Sequence, residues 1–174
     1  MIQVNMHTGT HDEALIVSAQ FLCALTPPAQ TAVLLELMTA EMEKINVWAN
    51  ESDVLIGHLK AYVKWPEDSV MLTTTGTDVQ VKGASVLPDA PAGLDVGITG
   101  IMYGTSLMEL EEKIRNLAGN ILDNLHLKYE YSYECRNPHC TDPNHHHEHH
   151  EHHEHHEHHE HHEHHEHHEH GHSH

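Results

Sequence analysis

The chain reads as an α+β domain: a mixed or antiparallel sheet with helices on one face, a variant of the ferredoxin-like split βαβ arrangement, followed by a disordered His-rich tail. Three observations predict this. Several runs alternate apolar and polar residues with a period of two, as half-buried strands do. Other segments repeat apolar residues at helical spacing behind a capping signal. From His145 onward the sequence becomes a polymer of histidine and glutamate without any apolar stripe.

In chain order, Ile2 to Met6 is a short strand candidate, and Gly9 frees a turn after it. Thr10 with Glu13 three residues later matches a capping box, which predicts a helix through about Leu25. Thr26-Pro27-Pro28 stops that helix and starts a second, in which Leu34, Leu37, Met38, Ile45 and Trp48 form an apolar face ending near Asn50. Val54 to Trp65 is a strand with Leu55, Leu59, Ala61, Val63 and Trp65 on one side and His58, Lys60, Tyr62 and Lys64 on the other. Val70 to Thr75 and Val79 to Lys82 flank Gly76 as a hairpin. Pro88 to Gly93 is a loop and a candidate insertion, and Val96 to Tyr103 is a further strand.

Ser106 and Glu109 form a second capping box, ahead of Leu107, Leu110, Ile114, Leu117, Ile121 and Leu125 at helical spacing. A final half-exposed strand follows, with Leu127, Tyr129, Tyr131 and Tyr133 alternating with Lys128, Glu130, Ser132 and Glu134. The domain is therefore 1–134, a Cys/His linker occupies 135–144, and the tail is 145–174.

The tail carries the chemistry. Its histidines are His145, His146, His147, His149, His150, His152, His153, His155, His156, His158, His159, His161, His162, His164, His165, His167, His168, His170, His172 and His174, which is 20 of the 25 in the chain. From His146 to Glu169 they follow a strict His-His-Glu repeat. Imidazole is the commonest protein ligand of borderline first-row cations, and nearly any backbone geometry here brings three or four nitrogens around one ion. The eight glutamates keep the tail negative at pH 7, where about a quarter of the imidazoles are charged. An engineered purification tag and low-complexity drift are the bland alternatives, and neither removes the binding chemistry.

Cys135, His139 and Cys140, with His145 close behind, place two thiols and two imidazoles together as a potential tetrahedral site, against the alternative of a plain polar linker. His7 and His11 group with Asp12 and Glu13 at what reads as a strand-to-helix turn, either as ligands or as solvated polar residues. His58 reads as a strand histidine, His126 as a helix end, and Cys23 as core.

Outside the tail, 19 acidic residues face all eight Lys and Arg, so nucleic acid and anionic membranes are not expected partners. The start lacks a signal-peptide pattern and no segment is long enough to span a bilayer, so the expected compartment is the cytoplasm. No nucleophile, base and orienting acid follow a recognisable order, and the expectation is a binding protein, not an enzyme.

The stretch Leu55-Ile56-Gly57-His58-Leu59-Lys60-Ala61-Tyr62-Val63, with the hairpin after it and then Ile98-Thr99-Gly100-Ile101-Met102-Tyr103-Gly104 and a helix, resembles the small C-terminal domain of CobW-type metallochaperone GTPases over residues 50 to 125. The chain has no Gly-x-x-x-x-Gly-Lys-Ser/Thr phosphate loop, so GTPase activity does not carry over. The tail is similar to those of nickel accessory proteins in urease, hydrogenase and carbon monoxide dehydrogenase maturation. That resemblance implies nickel as cargo, with cobalt or zinc next, and a CobW-type GTPase or an apo-metalloenzyme as partner. A small chelatase that inserts metal into a tetrapyrrole, with His58 and His7 in its cleft, is the enzymatic alternative.

Overall fold

The computed structural model describes residues 1–25, 28–84, 87 and 93–135. Seven strands and two helices form among them, in the order β1 (Ile2–His11), β2 (Ala14–Cys23), α1 (Pro28–Glu51), β3 (Leu55–Lys64), β4 (Ser69–Thr74), β5 (Gln80–Gly83), β6 (Leu94–Tyr103), α2 (Leu107–Asn124) and β7 (Tyr129–Cys135). The strands make one mixed sheet in the order β5-β4-β3-β6-β2-β1-β7. Strands β2, β3, β6 and β7 with the two helices reproduce the 4-1-3-2 order of a split βαβ sandwich. Strand β1 is wedged between β7 and β2, and the β4–β5 hairpin extends the opposite edge as its sequence predicts.

The segment from Thr10 to Leu25 is not a helix. It completes β1 and forms β2, which pair antiparallel from Asn5↔Gln20 to His11↔Ala14 across a two-residue turn at Asp12 and Glu13. Asp12 takes φ of 53°, a left-handed conformation that a short Asp side chain tolerates. The apolar run has period two: Val17, Ala19, Phe21 and Cys23 are buried, while Gln20 and Leu22 point outward. Thr10 pairs with Leu15 in the ladder, so it caps nothing, and Gly9 is a mid-strand residue.

Pro28 opens α1, and Leu34, Met38, Met42, Ile45 and Ala49 bury one stripe of it. Both helices end without glycine. Asp53 (φ 54°) and His126 (φ 57°) each take the left-handed position, and the amides of Val54 and Leu127 reach back to the carbonyls of Ala49 and Leu122 at 2.9 Å. Helix α2 starts as expected, with Ser106 Oγ accepting from the Glu109 amide at 3.2 Å. The Glu109 carboxylate accepts from Thr105 Oγ1 at 2.8 Å.

Both helices lie on one face of the sheet, where Val4, Phe21, Leu59, Val63, Leu72, Val96, Ile98 and Met102 meet Leu34, Met38, Leu110, Ile114 and Ile121. One register detail departs from simple alternation. A bulge at Gly57 shifts β3 by one residue, so Ile56, not Leu55, shares the buried face with Leu59, and Leu55 is 65% exposed. Among the described residues no helix is long and apolar enough to cross a membrane.

Candidate metal centre and the strand that presents it

Strand β7 is the last described element before the linker and tail. Among the described residues it pairs, in parallel, with β1 alone, from Ile2↔Tyr129 to Thr8↔Cys135. Both strands therefore run toward the same end of the sheet, where β1 continues to His11 and the turn at Asp12.

Three tyrosines fasten β7 to the helix above it. Tyr131 donates to the Arg115 carbonyl at 2.8 Å, Tyr129 to Asp123 Oδ2 at 3.3 Å, and the Arg115 guanidinium donates to Tyr133 Oη at 3.3 Å. The Tyr129 and Tyr131 rings meet edge to face with centroids 5.4 Å apart. Burial pushes the Tyr131 phenol well above its ordinary pKa, so it remains a donor over the whole working range. Gly119 of α2 makes room: a Cβ there would lie 2.8 Å from the Tyr131 hydroxyl and 2.9 Å from that of Tyr129.

His7 and His11 stand on one strand, four residues apart. At about 3.3 Å per residue their backbones are separated by roughly 13 Å. The turn expected at Gly9 is absent, so nothing folds one imidazole toward the other. His11 Nδ1 instead lies 3.3 Å from Asp12 Oδ2 at the exposed hairpin tip. His58 is exposed beside the β3 bulge, and His126 serves as the left-handed cap residue of α2.

Cys23 is 4% exposed in the core, with its thiol pushed up to about 11 by burial. The backbone of Cys135 closes β7 opposite Thr8. His139, Cys140 and His145 to His174 lie outside the described residues, as does most of the loop expected at Pro88 to Gly93. Among the described residues no group of three or more His, Cys, Asp and Glu is arranged to hold a metal ion.

A buried polar network pins the far edge of the sheet. Asn46 of α1 donates to Thr74 Oγ1 at 3.1 Å and to the Thr77 carbonyl, and Asn50 donates to the Gly76 carbonyl at 3.2 Å. Glu41, also buried, accepts from Asn120 at 2.8 Å and pairs with Lys44, joining the two helices. The cleft beside that pair, lined by Trp48, Lys113 and Asn116 among others, has a volume of about 160 Å³. Small-molecule pockets more often span about 300 to 1,000 Å³.

No family model matches the sequence, and no curated protein does. Among solved structures, a zinc-bound triple mutant of the YjiA GTPase superposes with a TM-score of 0.28 at 10% sequence identity, over 57% of this chain and 29% of that one. The chain thus spans less than a third of that protein's length, and a superposition at this level decides neither fold nor function.

Proposed function

We propose that the protein binds transition-metal ions for storage or delivery to metalloenzyme or metallocofactor maturation, with nickel as the foremost cargo and cobalt or zinc next. The observation that carries this reading is the tail: 20 imidazoles and eight carboxylates within 30 residues, without a thiolate. Such a nitrogen and oxygen donor set suits nickel, cobalt and zinc, and the order among them follows the similarity to nickel accessory tails. The α+β domain acts as the carrier, with β7 anchored through its tyrosines so that the linker and tail leave from a fixed sheet end. Cys135, His139, Cys140 and His145 form a tighter site at the base of a looser reservoir.

Calorimetric titration of the metal-free protein with nickel, with and without residues 145–174, tests the reading. At three to four imidazoles per ion the full chain takes up about 5 to 7 ions, and the shortened chain about one. Uptake of a single ion by the full chain overturns the reservoir.

A further inference from the structure

The face of the sheet away from the helices carries an asymmetric charge. The registers align Lys60 with Thr73 and Thr99, Lys64 with Ser69 and Asp95, and Lys82 with Met71, which lies opposite Tyr62. Three of the eight basic residues in an otherwise acidic chain thus share the β3–β4–β5 half of this face. All three are exposed, and among the described residues none of them makes an ion pair. The acid opposite Lys64, Asp95, already accepts from Gln20 at 3.0 Å, and the other acids that the register puts on this face, Glu130 and Glu134, stand at the far edge on β7. By contrast, Lys44 pairs with Glu41, and Lys113 lies 4.9 Å over the Trp48 ring.

Along the row from Lys60 toward β7 the residues on β6 and β2 are the short Thr99 and Ser18, while Gln20 and the exposed Leu22 stand on the neighbouring rows. The Tyr62 ring lies so close over Gly97 that a Cβ there would meet it at 2.1 Å. One row of the register runs from Glu134 of β7 through His7, Ser18 and Thr99 to Lys60.

We infer that this basic half-face is the docking surface for the chain's own metal-free tail, residues 145–174, and that metal loading releases it. The inference rests on the metal-binding reading above. Lys60 is four strands from β7, about 19 Å at ~4.8 Å per strand. The first repeat glutamate, Glu148, comes 13 residues after Cys135, and a flexible chain of that length has an r.m.s. span of about 20 Å. Tether and span match, which is where the effective concentration of a tethered partner is greatest.

The charges complement as well. The metal-free tail is about −3 at pH 7, whereas five bound dications turn its eight carboxylates into a net of about +2. Filling the tail therefore reverses its attraction to Lys60, Lys64 and Lys82.

Zero-length carbodiimide cross-linking of the full chain, which joins carboxylates to lysines in direct contact, reads this at pH 7 and low salt. Lys128 is the internal control, because it directly precedes β7, about 23 Å from Cys135, at a similar tether distance but at the opposite edge of the sheet from the β3–β4–β5 half. Expected are links from Glu148 to Glu169 onto Lys60, Lys64 and Lys82 at least fivefold above those onto Lys128. They should fall to the Lys128 level with six equivalents of nickel or in 0.5 M salt, where screening removes exposed pairs. As a second readout, the folded K60Q/K64Q/K82Q variant should take up its first nickel ions two- to fivefold more tightly, because docking no longer competes.

Links spread evenly over Lys128 and the three lysines, or links indifferent to salt and nickel, overturn the docking. So does an unchanged nickel midpoint in the triple variant. If calorimetry finds no nickel uptake while salt-sensitive links persist, the metal reading falls and the charge docking stands.

Discussion

Replacing Gly119 by Ala tests how β7 is held. On an exposed helix this change stabilises by about 1 kcal/mol through backbone propensity. Here the new methyl group would sit 2.8 and 2.9 Å from the hydroxyls of Tyr131 and Tyr129, both already hydrogen-bonded to α2 or its side chains. Pushing the rings away loses up to two hydrogen bonds worth about 1 kcal/mol each and adds overpacking of about 1 to 3 kcal/mol. The net expectation is destabilisation of up to roughly 4 kcal/mol, seen as a lower urea midpoint with an unchanged slope. Hydrogen exchange should place the largest loss of protection in β7 and its partner β1. The double variant Tyr129→Phe, Tyr131→Phe should tolerate the added methyl group better than the parent does, since the obstructing oxygens are gone. A Gly119→Ala protein more stable than the parent would refute the close approach of α2 and β7.

Asn46→Ala should cost about 1 to 3 kcal/mol in chemical denaturation, because it strips partners from the buried Thr74 hydroxyl and frees the β4–β5 turn. Nickel capacity at equilibrium should fall steeply from pH 7 to pH 5.5: imidazoles with pKa near 6.5 go from about a quarter to about nine-tenths protonated, and the protonated ring cannot ligate. Cobalt titration should give thiolate charge-transfer absorption that saturates near one equivalent while imidazole-type bands keep growing. Changing Cys135 and Cys140 to Ser should remove the first signal only. Cys23 adds nothing to it, since its buried thiol stays protonated at working pH.

Helix α2 is legible from the chain because capping residue, apolar spacing and length agree with one another. The β4–β5 hairpin and the tyrosine alternation of β7 are legible for similar local reasons. The stretch from Thr10 to Leu25 is not. Its Thr-x-x-Glu spacing imitates a helix start, and its apolar run suits either conformation. The choice is made by pairing on both sides, with β1 across a two-residue turn and with β6, about 80 residues away in the chain. Simple alternation puts Leu55 on the wrong face because a one-residue bulge cannot be seen in a hydropathy pattern. The proposed metal chemistry rests on the composition of the tail. What composition cannot show is that His7, Lys60 and the end of β7 share one row of a sheet, or that Lys82 joins them, because those relations exist only through pairing.

The wedged position of β1 bears on the order of folding. Among the described residues strand β7 pairs with no strand but β1, and that pairing joins residues as far apart as Ile2 and Tyr129. Closing a loop of that length is among the slowest contacts such a chain makes, and it waits on the β1–β2 hairpin, which forms locally. The β1–β7 pair is therefore expected to be the last strand pair that a newly made chain completes. Deleting residues 2–11 would remove two strands from the sheet, not one, because β7 would be left without a ladder to join. A segment at the opposite end of the chain from the tail thus controls whether the tail follows a folded body or an unfinished one.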